Sequence, residues 1–155
     1  MKKSKFIIFT LIIIIAFLSI YVYFTRLLPK PLAGGLAIIT GEVNSIQEIS
    51  TTTTGPIYRC VIGKDYKDKK KAVWISYKVV HSVSLEQGIS KENALKIAHK
   101  KGIENVKDIQ LTYIANIEGM SQNISEGVYW YIRDNKNKTI LIEYNTGNIK
   151  YSDNE

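Results

Sequence analysis

Two histidines, His81 and His99, and one cysteine, Cys60, are the chain's whole stock of imidazole and thiol groups. No HExxH or CxxC spacing is present, so a zinc site of the usual kind is not expected. Cys60 and His81 could in principle pair as nucleophile and base, but no neighbour in sequence marks Cys60 as activated. A small core hydrophobe is the simpler reading of Cys60. No phosphate-cradling P-loop, no GxGxxG after a strand and no GxSxG elbow occurs. The 14 Asp and Glu residues are scattered over polar stretches and nominate no convergent acid pair. Catalysis is therefore not expected, nor a metal, a cofactor or a small-molecule substrate.

What stands out is aromatic. Both tryptophans and all but two of the ten tyrosines lie beyond residue 24, mostly on strand-like segments. Along Val128–Arg133, strand alternation puts Val128, Trp130 and Ile132 on one face and Tyr129, Tyr131 and Arg133 on the other. The first set reads as core. The second is rich in Tyr and Arg, the residues that dominate binding hot spots, although cross-strand tyrosine pairs can also simply coat a solvent-facing sheet. Tyr58, Trp74 and Tyr77, from a similar hairpin earlier in the chain, join Tyr129, Tyr131 and Arg133 as partner-binding candidates.

The elements that would carry these residues begin with an apolar run. Phe6 to Phe24, centred near Ile14, contains no charge and is apolar all round, where a soluble helix would show one stripe. At ~1.5 Å per residue it spans ~28 Å, close to the ~30 Å hydrocarbon core of a bilayer. It reads as a transmembrane anchor, with Phe6, Ile14 and Phe24 marking its ends and middle. Lys2, Lys3 and Lys5 favour a cytoplasmic N-terminus and extracytoplasmic remainder. A cleaved signal peptide would need a shorter core and small residues where Tyr21, Tyr23 and Phe24 stand.

The net charge of +7 is not a nucleic-acid signal. Five of the 21 basic residues fall in the first 30 positions, which hold no acid, leaving 16 against 14 acids in the rest. No nucleic-acid partner is expected.

The chain divides as a tail (1–5), the anchor (6–24), a linker (25–35) and two small units (36–84 and 85–155). Leu36–Thr40 reads as a short, poor helix or a strand. Ser45–Thr52, Ile57–Ile62 and Ala72–Val80 read as strands, the last two forming a hairpin around a long basic tip, Lys64–Lys71. That tip could meet an anionic polymer, but a solvated loop is the blander reading. Ser90 caps the clearest helix, with Ile89 and Ala94 as a hydrophobic staple and Gly102 as its stop. Lys107–Ile117, Val128–Arg133, Thr139–Tyr144 and a short Ile149–Tyr151 read as strands, with Glu118–Glu126 a polar loop. Tyr58–Tyr77 resembles Tyr129–Tyr144, both running from Tyr through a basic turn to Ile-x-Tyr, and Gly41 and Gly102 hold equivalent places upstream. The expected class is α+β: two copies of a helix-on-antiparallel-sheet unit, the first with a degraded helix.

Ile89-Ser-Lys-Glu-Asn-Ala94, the Ile97-Ala98 pair, Val128-Tyr-Trp-Tyr-Ile132 and Ile142-Glu-Tyr-Asn-Thr-Gly147-Asn-Ile149 resemble the pattern of a PepSY-type domain. With the anchor and the Val73-Trp74-Ile75 unit in front, the whole chain resembles the TseB/YpmB-like cell-wall elongation regulators of Gram-positive bacteria. Glu143 stands where that pattern usually has Asp, and the first helix is glycine-rich. The resemblance implies two cystatin-like PepSY units outside the membrane that bind a penicillin-binding transpeptidase and regulate peptidoglycan synthesis, without catalysis. Because PepSY units also occur in protease propeptides, modulation of an extracytoplasmic peptidase is the alternative it implies.

Overall fold

The structure is a computed structural model. It describes residues 2–26, 28–52, 57–115 and 124–153, with side chains on the first helix described from 7 to 21. The turn expected at Gly55-Pro56, most of the loop Glu118–Glu126, and the side chains of Phe6 and Phe24 lie outside this set.

Among the described residues, eleven elements run in order: α1 (Lys2–Arg26), α2 (Lys30–Ile39), β1 (Ser45–Thr52), β2 (Tyr58–Lys64), β3 (Lys70–Ile75), β4 (Val79–Ser84), α3 (Lys91–Lys100), β5 (Val106–Ile114), β6 (Gly127–Asp134), β7 (Thr139–Glu143) and β8 (Ile149–Ser152). They form two antiparallel four-stranded meanders, β1-β2-β3-β4 and β5-β6-β7-β8, each preceded by one helix. The α+β expectation stands at this level.

α1 is a continuous helix whose described side chains, from Ile7 to Tyr21, are all exposed. Among the described residues, no helix is long and apolar enough to cross a membrane.

The first unit differs from expectation at two places. The stretch taken as linker already contains helix: α2 starts at Lys30, uses Pro31 in its first turn, and is as long as α3. It is not degraded. Pro suits the first turn because its missing N–H would be unpaired there anyway. Gly34 lets α2 sit close to β1: a Cβ there would come within 2.7 Å of Ile46 Cδ1 and 3.1 Å of Ile49 Cδ1, so these side-chain ends would have to move. The expected single strand Ala72–Val80 is two strands. β3 ends at Ile75, and a tight turn at 76–78, closed by Ser76 N–H donating to the Lys78 carbonyl (3.0 Å), starts β4.

The internal repeat is clearest in its turns. Asp65 Oδ1 accepts from the N–H groups of Lys67 and Lys69, and Asp134 Oδ1 accepts from those of Lys136 and Lys138. Each turn then places one residue in the left-handed region, Asp68 and Asn137, residue types that tolerate it. The helices match too: Ala33 and Ala37 on α2, like Ala94 and Ala98 on α3, are fully buried one turn apart. Gly41 and Gly102 both end their helices at positive φ. Ser90 caps α3 as expected, its Oγ accepting from Asn93 N–H at 3.2 Å.

Three apolar clusters hold the layers. Under α2 lie Val61, Val73 and Ile75; under α3 lie Ile132, Ile140 and Ile142. The third joins the sheets, with Tyr58, Cys60, Ala72 and Trp74 from the first meeting Leu111, Tyr113, Val128 and Tyr144 from the second. A ten-residue helix is only ~15 Å long, so α3 covers part of its sheet's inner face. The outer face of the first sheet covers the rest. Trp130 contacts both clusters and donates from Nε1 to the Ile89 carbonyl at 3.0 Å. Tyr144 crosses the junction, its hydroxyl donating to the Ser84 carbonyl at 2.9 Å.

Candidate functional site

Where the two sheets meet, a cleft of about 500 Å³ opens between β1–β2 and β5–β6. Register builds its first wall: Glu48 pairs with Ile62 and Ser50 with Cys60, which puts these four on the face turned away from α2. The second wall is the start of β5 with Trp130 and Arg133 of β6, and Lys91 enters from the first turn of α3. The floor is apolar, the rim carries two acids and two bases, and the walls come from residues up to 85 positions apart in the chain.

Arg133 is the most pointed feature of the cleft. Its Nη2 lies 3.8 Å from Asp108 Oδ2, a loose pairing, while its Nε is buried with no hydrogen-bond partner among the described residues. A buried donor without an acceptor is costly, while the rest of the guanidinium is partly exposed at the cleft rim, where its N–H groups can donate to a carboxylate or carbonyl.

Cys60, at the base of the first wall, is buried, and burial pushes its thiol up to about 12, with the hydrogen bond to Ser50 opposing. It is a core residue and not a nucleophile, because the thiolate is the reactive form. An aromatic-thiol exchange reagent at pH 8 should leave the native chain unmodified and titrate one thiol after unfolding. Stoichiometric reaction before unfolding would contradict this placement.

The six partner-binding candidates do not share a surface. Trp74 and Tyr129 are fully buried, and Tyr58 nearly so. These three are corrected from surface to core: β2 and β3 have apolar cover on both faces, and Tyr129 turns its hydroxyl to the Ser125 carbonyl at 2.7 Å. Tyr77 is 77 % exposed at the β3–β4 turn, remote in register from the cleft. Tyr131 is half-buried between Gln110 and Leu141 in the middle of the second sheet and does not line the cleft. Only Arg133 reaches the cleft. Of the anchor markers, Ile14 is exposed on α1. The expected core face of β6 holds, but Val128 lies under the first sheet, not under α3. Sequence reasoning missed Glu48, Lys91 and Asp108, and nothing local to them signals a site.

The basic tip is also smaller than expected, and three of its five lysines are paired with acids. Lys64 meets Asp68 at 3.3 Å, Lys69 meets Glu86 at 3.5 Å, and Lys71 lies in β3 with Glu42 at 2.6 Å. The Lys71 hydrogen bond holds the Glu42 carboxyl below its ordinary value, against the opposing effect of burial.

His81 stacks on Tyr113 with ring centroids 4.5 Å apart, near Trp74, and Tyr113 donates to Glu126 at 2.5 Å. Burial first, then the Glu126 carboxylate, pushes the Tyr113 phenol up to about 12. Burial lowers the His81 pKa, so the folded state prefers the neutral ring. Stability from this site is present above the ordinary histidine value of ~6.5 and falls as pH drops through the lowered folded value. The melting temperature of the chain should decline between pH 7 and 5.5, above the range where carboxylates respond, and His81→Phe should flatten that decline. An unchanged slope in H81F would refute the assignment.

By sequence, no family model matches the chain, and no curated protein does. Among solved structures, the YpmB protein from Bacillus subtilis is similar, with a TM-score of 0.63 and 21% identity over 79% of this chain and 94% of that one. The fold is YpmB-like. The shared structure covers nearly all of the YpmB chain, so the likeness extends through both sheets and is not confined to one hairpin.

Proposed function

We propose that this chain is a membrane-anchored extracytoplasmic interaction protein that regulates peptidoglycan elongation by binding a penicillin-binding transpeptidase. The two helix-and-sheet units are PepSY-type, cystatin-like modules in this reading, and α1 is their single-pass anchor with its N-terminus in the cytoplasm. The observation that carries the proposal is α1 itself. From Ile7 to Tyr21 its side chains are nearly all apolar and all exposed, a surface far larger than proteins leave in water. Residues 6–24 supply a span of bilayer length. The YpmB-like fold supports the same reading for the remainder.

The partner docks through the cleft, where Arg133 and Lys91 receive carboxylate or carbonyl groups and Glu48 and Asp108 receive cations. Confinement of both proteins to one membrane raises their effective concentration, so a modest interface suffices. Photo-crosslinking from the cleft-lining positions Ile109 and Gln110 in membranes, followed by pull-down, should recover a wall transpeptidase, and Arg133→Ala should reduce the yield roughly tenfold, the effect of losing one charge-assisted hydrogen bond worth ~1.5 kcal/mol. Recovery of no wall synthase from either position refutes the proposal.

A further inference from the structure

We infer that α2 is a second membrane contact: its outward face lies in the headgroup–acyl boundary of the bilayer that holds α1. This rests on the anchor reading above.

After Lys30, α2 carries no charged or polar side chain through Ile39. Its inward side is closed against the first sheet by Ala33, Gly34 and Ala37. The opposite side is equally apolar and is uncovered, with Leu32, Ile38 and Ile39 exposed and Ile39 at 83 %. Leu32 and Ile39 are seven residues apart and share one stripe of the helix, with Gly35 between them facing open space. A helix that is apolar all round is normally buried all round.

Position decides what covers it. α1 ends at Arg26 and α2 begins at Lys30. Even fully extended, that connection reaches only about 14 Å. The junction is also clamped. Arg59, nearly buried in β2, donates from Nε to the Leu28 carbonyl at 2.6 Å and from Nη1 to Thr51 Oγ1, and Ala33 N–H donates to the Pro29 carbonyl at 3.1 Å. With Leu28 pinned to the first sheet two residues after α1 ends, α2 and that sheet move as one and stay within this short reach of the anchor's end. Arg26 and Lys30 bracket the junction in sequence, and attraction of basic residues to anionic lipids strengthens interfacial binding. An amphipathic placement of this kind, apolar face down and basic residues at the headgroups, is how interfacial helices sit. The consequence is a first unit held flat on the membrane, its orientation set by two contacts instead of one flexible tether.

The test places a nitroxide label on the full chain in nanodiscs of phosphatidylcholine with a minor share of phosphatidylglycerol. Ile39→Cys is the probe and Tyr66→Cys, exposed at the β2–β3 turn, is the aqueous comparator; the unsubstituted chain, with Cys60 buried, is the labelling blank. Collision with lipid-soluble oxygen relative to an aqueous nickel chelate should be several-fold higher at 39 than at 66. Equal ratios at the two positions, in a chain that stays with the discs, overturn the inference and leave the anchor standing. Loss of collision with both reagents at 39 means protein covers the face and overturns it equally. A chain that elutes apart from the discs overturns the anchor and the inference together.

Discussion

Trp74→Ala is expected to lower stability by about 4 kcal/mol, the upper part of the range for removing a large aromatic from a packed core. Trp74 is fully buried in the cluster that joins the two sheets, with its ring 6.2 Å from Tyr113 and 6.1 Å from His81. The loss should therefore reach both units: the second sheet's inner face depends on the first sheet for cover at Leu111, Val128 and Tyr144. Urea unfolding of the full chain in detergent, followed by far-ultraviolet circular dichroism, should show one transition moved to lower denaturant. A change of only ~1 kcal/mol would mean that the site collapses around the missing ring. Trp74→Phe separates packing from hydrogen bonding. The indole Nε1 is buried without a partner among the described residues, so phenylalanine breaks no bond and should cost much less, about 1–2 kcal/mol.

Gly63→Ala should cost about 3 kcal/mol, because the added methyl is driven into backbone and not into a flexible side chain. A Cβ at this position collides with the Ser45 carbonyl oxygen and comes within 3.1 Å of Val43 Cβ. Gly63 pairs with Ile46 at the place where β1 shifts register before Glu48, so the strand cannot back away without losing ladder bonds. Gly35→Ala is the contrast: nothing lies within 4 Å of its Cβ and it is inside α2, so alanine there should stabilise by about 0.5–1 kcal/mol. Thermal or urea midpoints of the two variants should move in opposite directions, and a neutral G63A would show that β1 can part from β2 at little cost.

Several elements were legible in the sequence because their signals are local. Ser90, the apolar stripe of Ala94, Ile97 and Ala98, and Gly102 each act within one helix, and α3 forms where they place it. The hairpin turns carry their own chemistry in Asp65 and Asp134, whose side chains cap the turn backbone regardless of what packs nearby. α2 was harder to read. Its two glycines argue against helix on propensity, but Ala33, Gly34 and Ala37 are buried against the first sheet; tertiary packing overrides the local cost.

The aromatic residues mark the boundary between what sequence and structure decide. Alternation along β6 correctly separated its two faces, yet exposure did not follow. Whether a face meets water depends on what another element lays against it, and the cover for Tyr58 and Trp74 comes from residues 37 to 86 positions onward. The continuous apolar run Ala72-Val-Trp-Ile75, with no polar alternation, is the signal that both faces are covered. The sequence by itself determined the apolar first helix, the α+β class, the repeat and the capped elements, since each follows from periodicity and turn chemistry within short windows. Only the tertiary structure decided that the two sheets share one core, that Trp74 and Tyr129 belong to the interior, and that Glu48, Lys91, Asp108 and Arg133 converge on a cleft. These are consequences of docking one unit on the other, and no local window contains that information.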